Sequence, residues 1–159
     1  MPGGVTAAGT ATSPRWAVLT VWAVVNAVNV LQSVGFVTRP TAPEVNRVAG
    51  VVMAALAIPA TAALVAFVQH RSGWRLVAGP LVYDAFIVLM LVVDYWIAVE
   101  FRSPQRAEIL VPYLALFFGS IVLMGVPMFR IDRRLWAVTA LTTVALITSM
   151  VWALAVGVG

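Results

Sequence analysis

Short polar segments divide the chain into five apolar runs, and no other feature constrains its fold as strongly. The runs lie at about 16–37, 48–69, 76–99, 109–129 and 135–157. Each reaches the roughly 20 residues that a helix needs to cross a bilayer core. No period-2 alternation runs through them, which argues against barrel strands, and in hydrocarbon every backbone polar group must be satisfied within the protein. With 62% apolar and only 10% charged residues and a mean hydropathy of +1.00, the chain lies far from the roughly 45–50% apolar and 25% charged content of soluble domains. Its solvent is lipid. The expected fold is all-α, an integral membrane bundle of five transmembrane helices with short loops.

The connections at 38–47, 70–75, 100–108 and 130–134 leave no room for an extramembrane catalytic domain. Residues 16–159 are therefore expected to form a single five-helix transmembrane domain. The preceding tail at 1–15, rich in Gly, Thr and Ala, has the composition of a disordered segment. The first run is too long for a signal-peptide core and leads into "QSVGFVTRP" rather than a small-residue cleavage site, so it reads as a retained span.

All ten basic residues are Arg, which makes orientation countable. Arg15, Arg71, Arg75, Arg130, Arg133 and Arg134 lie at span ends facing the N-terminal side; Arg39, Arg47, Arg102 and Arg106 lie at the opposite ends. Six against four favours a cytoplasmic N-terminus and a C-terminus on the exported side of the cell membrane. Because these Arg are distributed as anchors and form no single basic patch, the high pI of about 10.7 does not indicate nucleic-acid binding. The expected partners are membrane lipid, an apolar small molecule, and a second copy or a larger membrane complex.

The chain has no Cys, which removes disulfides, thiolate metal sites and Cys nucleophiles. Its one His, His70, falls in a loop, leaving no intramembrane ligand for a haem and no base for a triad. No metal site and no cofactor are expected. Trp16, Trp74, Trp96 and Trp136 fall near span ends, as an interfacial aromatic belt requires. The second run is Ala-rich with a central Pro59, which points to a closely packed, central and bent helix.

The polar residues inside the spans carry the functional argument. In "VVNAVNVLQSVG", Asn26, Asn29 and Gln32 recur every three residues and share one helical stripe. Such a stripe faces other helices or a cavity rather than lipid. The third run carries Asp84 and Asp94, each costing about 2.5–3.5 kcal/mol at a span centre. On an α-helix they stand about 15 Å apart along the axis, too far for a carboxylate dyad. Tyr83 precedes Asp84, and Tyr95 with Trp96 follows Asp94. Each acid shares a stripe with an aromatic eleven residues away, and depth matching suggests that the amide stripe of the first span packs against it. A polar cavity would then run from mid-membrane to the exported side and end at Glu100.

Three functions fit these residues. One is an intramembrane enzyme acting on an apolar lipid or isoprenoid, of cyclase or isomerase type. Asp94 and Asp84 would be its acids, Tyr83, Tyr95, Trp96 and Tyr113 would stabilise a cation, and Asn26, Asn29, Gln32 and Glu100 would orient substrate. A second is a proton- or cation-coupled transporter, with the same acids relaying charge along the amide stripe. A third is a non-catalytic subunit or assembly factor whose acids meet a partner's polar groups. Thr and Ser of the fifth span need no function, since they can bond their own backbone.

Overall fold

The computed structural model describes residues 13–42, 44–98 and 106–157. The tail at 1–12 and the segment 99–105, which includes Glu100, lie outside the described residues. Five helices account for nearly all the rest: α1 (Arg15–Thr38), α2 (Glu44–Gln69), α3 (Trp74–Met90), α4 (Ala107–Ile131) and α5 (Arg133–Ala155). A π-helical segment, Leu91–Trp96, continues α3. Counting that continuation, all five are long and apolar enough to span a membrane, and no strand occurs among the described residues. The chain is a polytopic membrane protein.

Local chemistry fixes the helix ends. At the start of α5 the Asp132 side chain accepts from the Arg134 backbone N–H at 2.8 Å, closing one of the donors that a helix start leaves open. α2 ends in a Schellman turn: Ser72 N–H donates to the Phe67 carbonyl at 2.9 Å and Arg71 N–H to the Val68 carbonyl at 3.1 Å. Arg71 occupies the left-handed position, with φ of 48°, where Gly is the usual residue.

The helices pack in chain order around a ring. α1 meets α2, α2 meets α3, α3 meets α4, α4 meets α5, and α5 returns to α1, while α1 also touches α4 across the ring. Tyr83, Phe86, Met90, Phe117, Met124 and Met128 fill the middle, with Val21, Val25 and Val28 of α1 opposite. Gly79 sets the α3–α4 spacing. A Cβ there would stand 2.8 Å from the Met124 backbone nitrogen, so only Gly permits this approach.

One sequence expectation changes here. α2 is not the central helix, because only α1 and α4 form three seams each. Its Ala60 and Ala63 do face inward, but Val48, Val51, Ile58 and Val65 on its other side are exposed. Small residues therefore mark a close seam rather than a central position. Pro59 lies within α2, which remains one continuous helix from Glu44 to Gln69.

Candidate functional site

The amide stripe of α1 turns to α5, not to α3. Asn26 Nδ2 donates to Thr139 Oγ1 at 3.1 Å, and Asn26 Oδ1 accepts from Thr142 Oγ1 at 2.8 Å. Asn29 Nδ2 donates to both Thr142 Oγ1 and Thr143 Oγ1 at 3.0 Å. One turn earlier, Trp22 Nε1 donates to the Leu135 carbonyl at 2.9 Å. The stripe continues onto α2, where Gln32 Nε2 lies 3.2 Å from Met53 Sδ. The Thr hydroxyls thus bond the amides as well as their own helix: Thr143 donates to the Thr139 carbonyl, and the single proton of Thr142 is shared between Asn26 Oδ1 and that carbonyl.

The expected facing of amides and acids is therefore overturned. α1 and α3 share no packed seam, so the polar cavity expected between them has nowhere to lie. A stripe shows which face of a helix turns inward, and here that face meets the Thr hydroxyls of α5.

The acids instead face the two neighbours of α3. Asp84 Oδ2 accepts from Thr61 Oγ1 of α2 at 2.9 Å, while Asp84 Oδ1 is buried without a hydrogen-bond partner. Thr61 is itself exposed, which places this pair on the outer side of the α2–α3 seam. The Tyr83 phenol is already committed, donating to the Met53 carbonyl at 2.7 Å.

Asp94 lies where the helix loosens. Ile97 N–H donates to the Val92 carbonyl at 2.8 Å, a five-residue span characteristic of π-helical winding. The wider turn breaks the eleven-residue register expected from an α-helix, and Asp94 and Tyr95 diverge. Asp94 Oδ2 accepts from the Tyr113 hydroxyl of α4 at 3.0 Å. Tyr95 reaches α2 instead, its hydroxyl 3.4 Å from the Arg47 carbonyl and seated against Gly50, where a Cβ would lie 2.6 Å from it. Trp96 is 85% exposed and stands outside both seams.

Tyr113 belongs to an aromatic cluster. The Tyr113 ring meets Phe86 edge-on, with centroids 5.2 Å apart and planes at 78°. Phe86 also packs on Phe117 at 5.2 Å and lies 6.4 Å from the Tyr83 ring. The site thus joins Asp94, Tyr113 and Tyr83 of the sequence candidates and adds Phe86 and Phe117. Asp84 and the amides lie elsewhere. Phe86 was readable as a residue three beyond Tyr83, and Phe117 as one four beyond Tyr113, spacings that place side chains on one helix face.

No family model, curated protein or solved structure matches this chain.

Proposed function

We propose that this polytopic membrane protein is a metal-independent intramembrane enzyme acting on an apolar lipid of isoprenoid type, with Asp94 as its acid. The observation that supports this most is the Tyr113–Asp94 hydrogen bond, made by a phenol whose ring packs edge-on against Phe86, which in turn packs on Phe117. A carboxylic acid beside π faces suits proton transfer to an alkene, because the aromatic quadrupole attracts the cation that results. The proton on Asp94 moves to an alkene carbon, and a carbocation forms at the more substituted neighbour. Loss of a proton from an adjacent carbon returns it to the carboxylate. The result is a double-bond shift or ring closure with no change in oxidation state. Tyr113 orients the carboxyl through Oδ2.

The test is incubation of the reconstituted protein with polyprenyl lipids in deuterated water. The product should carry one solvent deuterium, Asp94→Asn should abolish its formation, and Asp84→Asn should leave it largely intact. Absence of labelled product from the wild-type protein across short and long polyprenyl chains would refute the proposal.

A second reading, that of a subunit in a larger complex, draws on Asp84. Its bond to exposed Thr61 on the outer side of the α2–α3 seam suits a surface covered by a partner helix. Co-purification of a stoichiometric partner that is lost in Asp84→Asn would favour it. Charge relay has less support, since α5 takes up the amides of α1, and the two acids bond to different neighbouring helices. The orientation with a cytoplasmic N-terminus belongs to this proposal and rests on the Arg distribution.

A further inference from the structure

Three arginines crowd the turn that joins α4 to α5. Arg130, Arg133 and Arg134 are all exposed, and the one acid in the turn, Asp132, accepts from the Arg134 backbone N–H as the helix cap. The Arg133 guanidinium lies over the Phe129 ring, 5.5 Å from its centroid, and Phe129 meets Trp136 edge-on at 5.1 Å. Trp136 in turn lines a recess of about 270 Å³ on the outer face of α4 and α5, which continues along Val126, Ala140 and Val122 to Thr143. From Trp136 to Thr143 the recess runs about 10 Å down the helix axis. Thr139 and Thr143 add no open donor, for their hydroxyls donate to the Leu135 and Thr139 carbonyls.

A ligand that fits this arrangement has an anionic head at the depth of the arginines and an apolar chain descending from it. Basic residues at a membrane interface attract anionic lipid generally. A continuous path of contacts from guanidinium through two aromatic rings into an apolar recess adds a requirement for the chain. We propose that the α4–α5 seam is a binding site for an anionic phospholipid, its phosphate held at Arg130, Arg133 and Arg134 and one acyl chain lying along the recess. The site is separate from Asp94 and independent of the proposed chemistry.

Native mass spectrometry of the full chain in detergent, titrated with phosphatidylglycerol and phosphatidylcholine, tests this. The wild type should retain one phosphatidylglycerol about tenfold more tightly than phosphatidylcholine. Arg133→Gln with Arg134→Gln should remove that preference, whereas Arg71→Gln with Arg75→Gln, which deletes the same charge at the α2–α3 turn, should keep it. Ala140→Leu fills the recess without altering charge and should weaken phosphatidylglycerol binding several-fold; Val126→Phe provides a second filling variant should the first fail to fold. Equal retention of both lipids, equal loss in the two arginine double variants, or binding indifferent to filling in folded variants would overturn the proposal.

Discussion

Asp94 and Asp84 both accept a hydroxyl hydrogen bond from a neighbouring helix, and these two donors differ. The donor to Asp94 is a phenol backed by Phe86, whereas the donor to Asp84 is an exposed threonine. Removing either hydroxyl should cost only about 0.6 kcal/mol, the average for such bonds in membranes. Activity should distinguish them: Tyr113→Phe lowers turnover several-fold while Thr61→Val does not, as read from label incorporation. At Arg71 the left-handed backbone costs a side chain about 1 kcal/mol. Arg71→Gly should therefore raise stability by about that amount in thermal melts of the detergent-solubilised protein. Asp84, Asp94 and Tyr113 were legible as polar or amphipathic residues within apolar spans. Thr61 was not, because a lone hydroxyl in an Ala-rich run can equally bond its own helix.

The five helices themselves were legible, since apolar length alone specifies them in lipid. Their neighbours were not. The stripe of Asn26, Asn29 and Gln32 indicates an inward face, but several helices offer partners at matching depth, and the Thr residues of α5 satisfy both donor and acceptor of Asn26. A double-mutant cycle of Asn26→Leu and Thr142→Val should return a coupling of about 0.6 kcal/mol, and Asn26→Leu with Asp84→Asn none. The π-helical winding of Leu91–Trp96 left no trace in the residue pattern, so the divergence of Asp94 and Tyr95 had to come from the structure. Gly79→Ala drives a methyl group against the α4 backbone and should destabilise by roughly 1–3 kcal/mol. Gly119→Ala, whose added Cβ would have Val82 Cγ1 at 3.9 Å as its nearest neighbour, is the control and should be nearly neutral.

At the scale of the molecule, the helices close into a ring whose middle is filled by aromatic and Met side chains, with polar pairs confined to individual seams. A filled middle favours chemistry at a lipid-facing seam over passage through the bundle. The proposed orientation, with a cytoplasmic N-terminus, predicts that the α1–α2 connection lies outside the cell and the α2–α3 turn inside. The native chain has no Cys, so single-cysteine labelling has no background. An impermeant maleimide applied to intact cells should label Thr41→Cys and spare His70→Cys. The proposed chemistry requires that Asp94 hold a proton in the lipid-embedded protein at neutral pH. Infrared difference spectra of wild type, Asp94→Asn and Tyr113→Phe in lipid read this without a substrate. A protonated-carboxyl band at pH 7 that vanishes in Asp94→Asn and shifts upward in Tyr113→Phe is the expected result; a spectrum showing only ionised carboxylate at Asp94 would leave the site with no proton to donate and overturn the assignment.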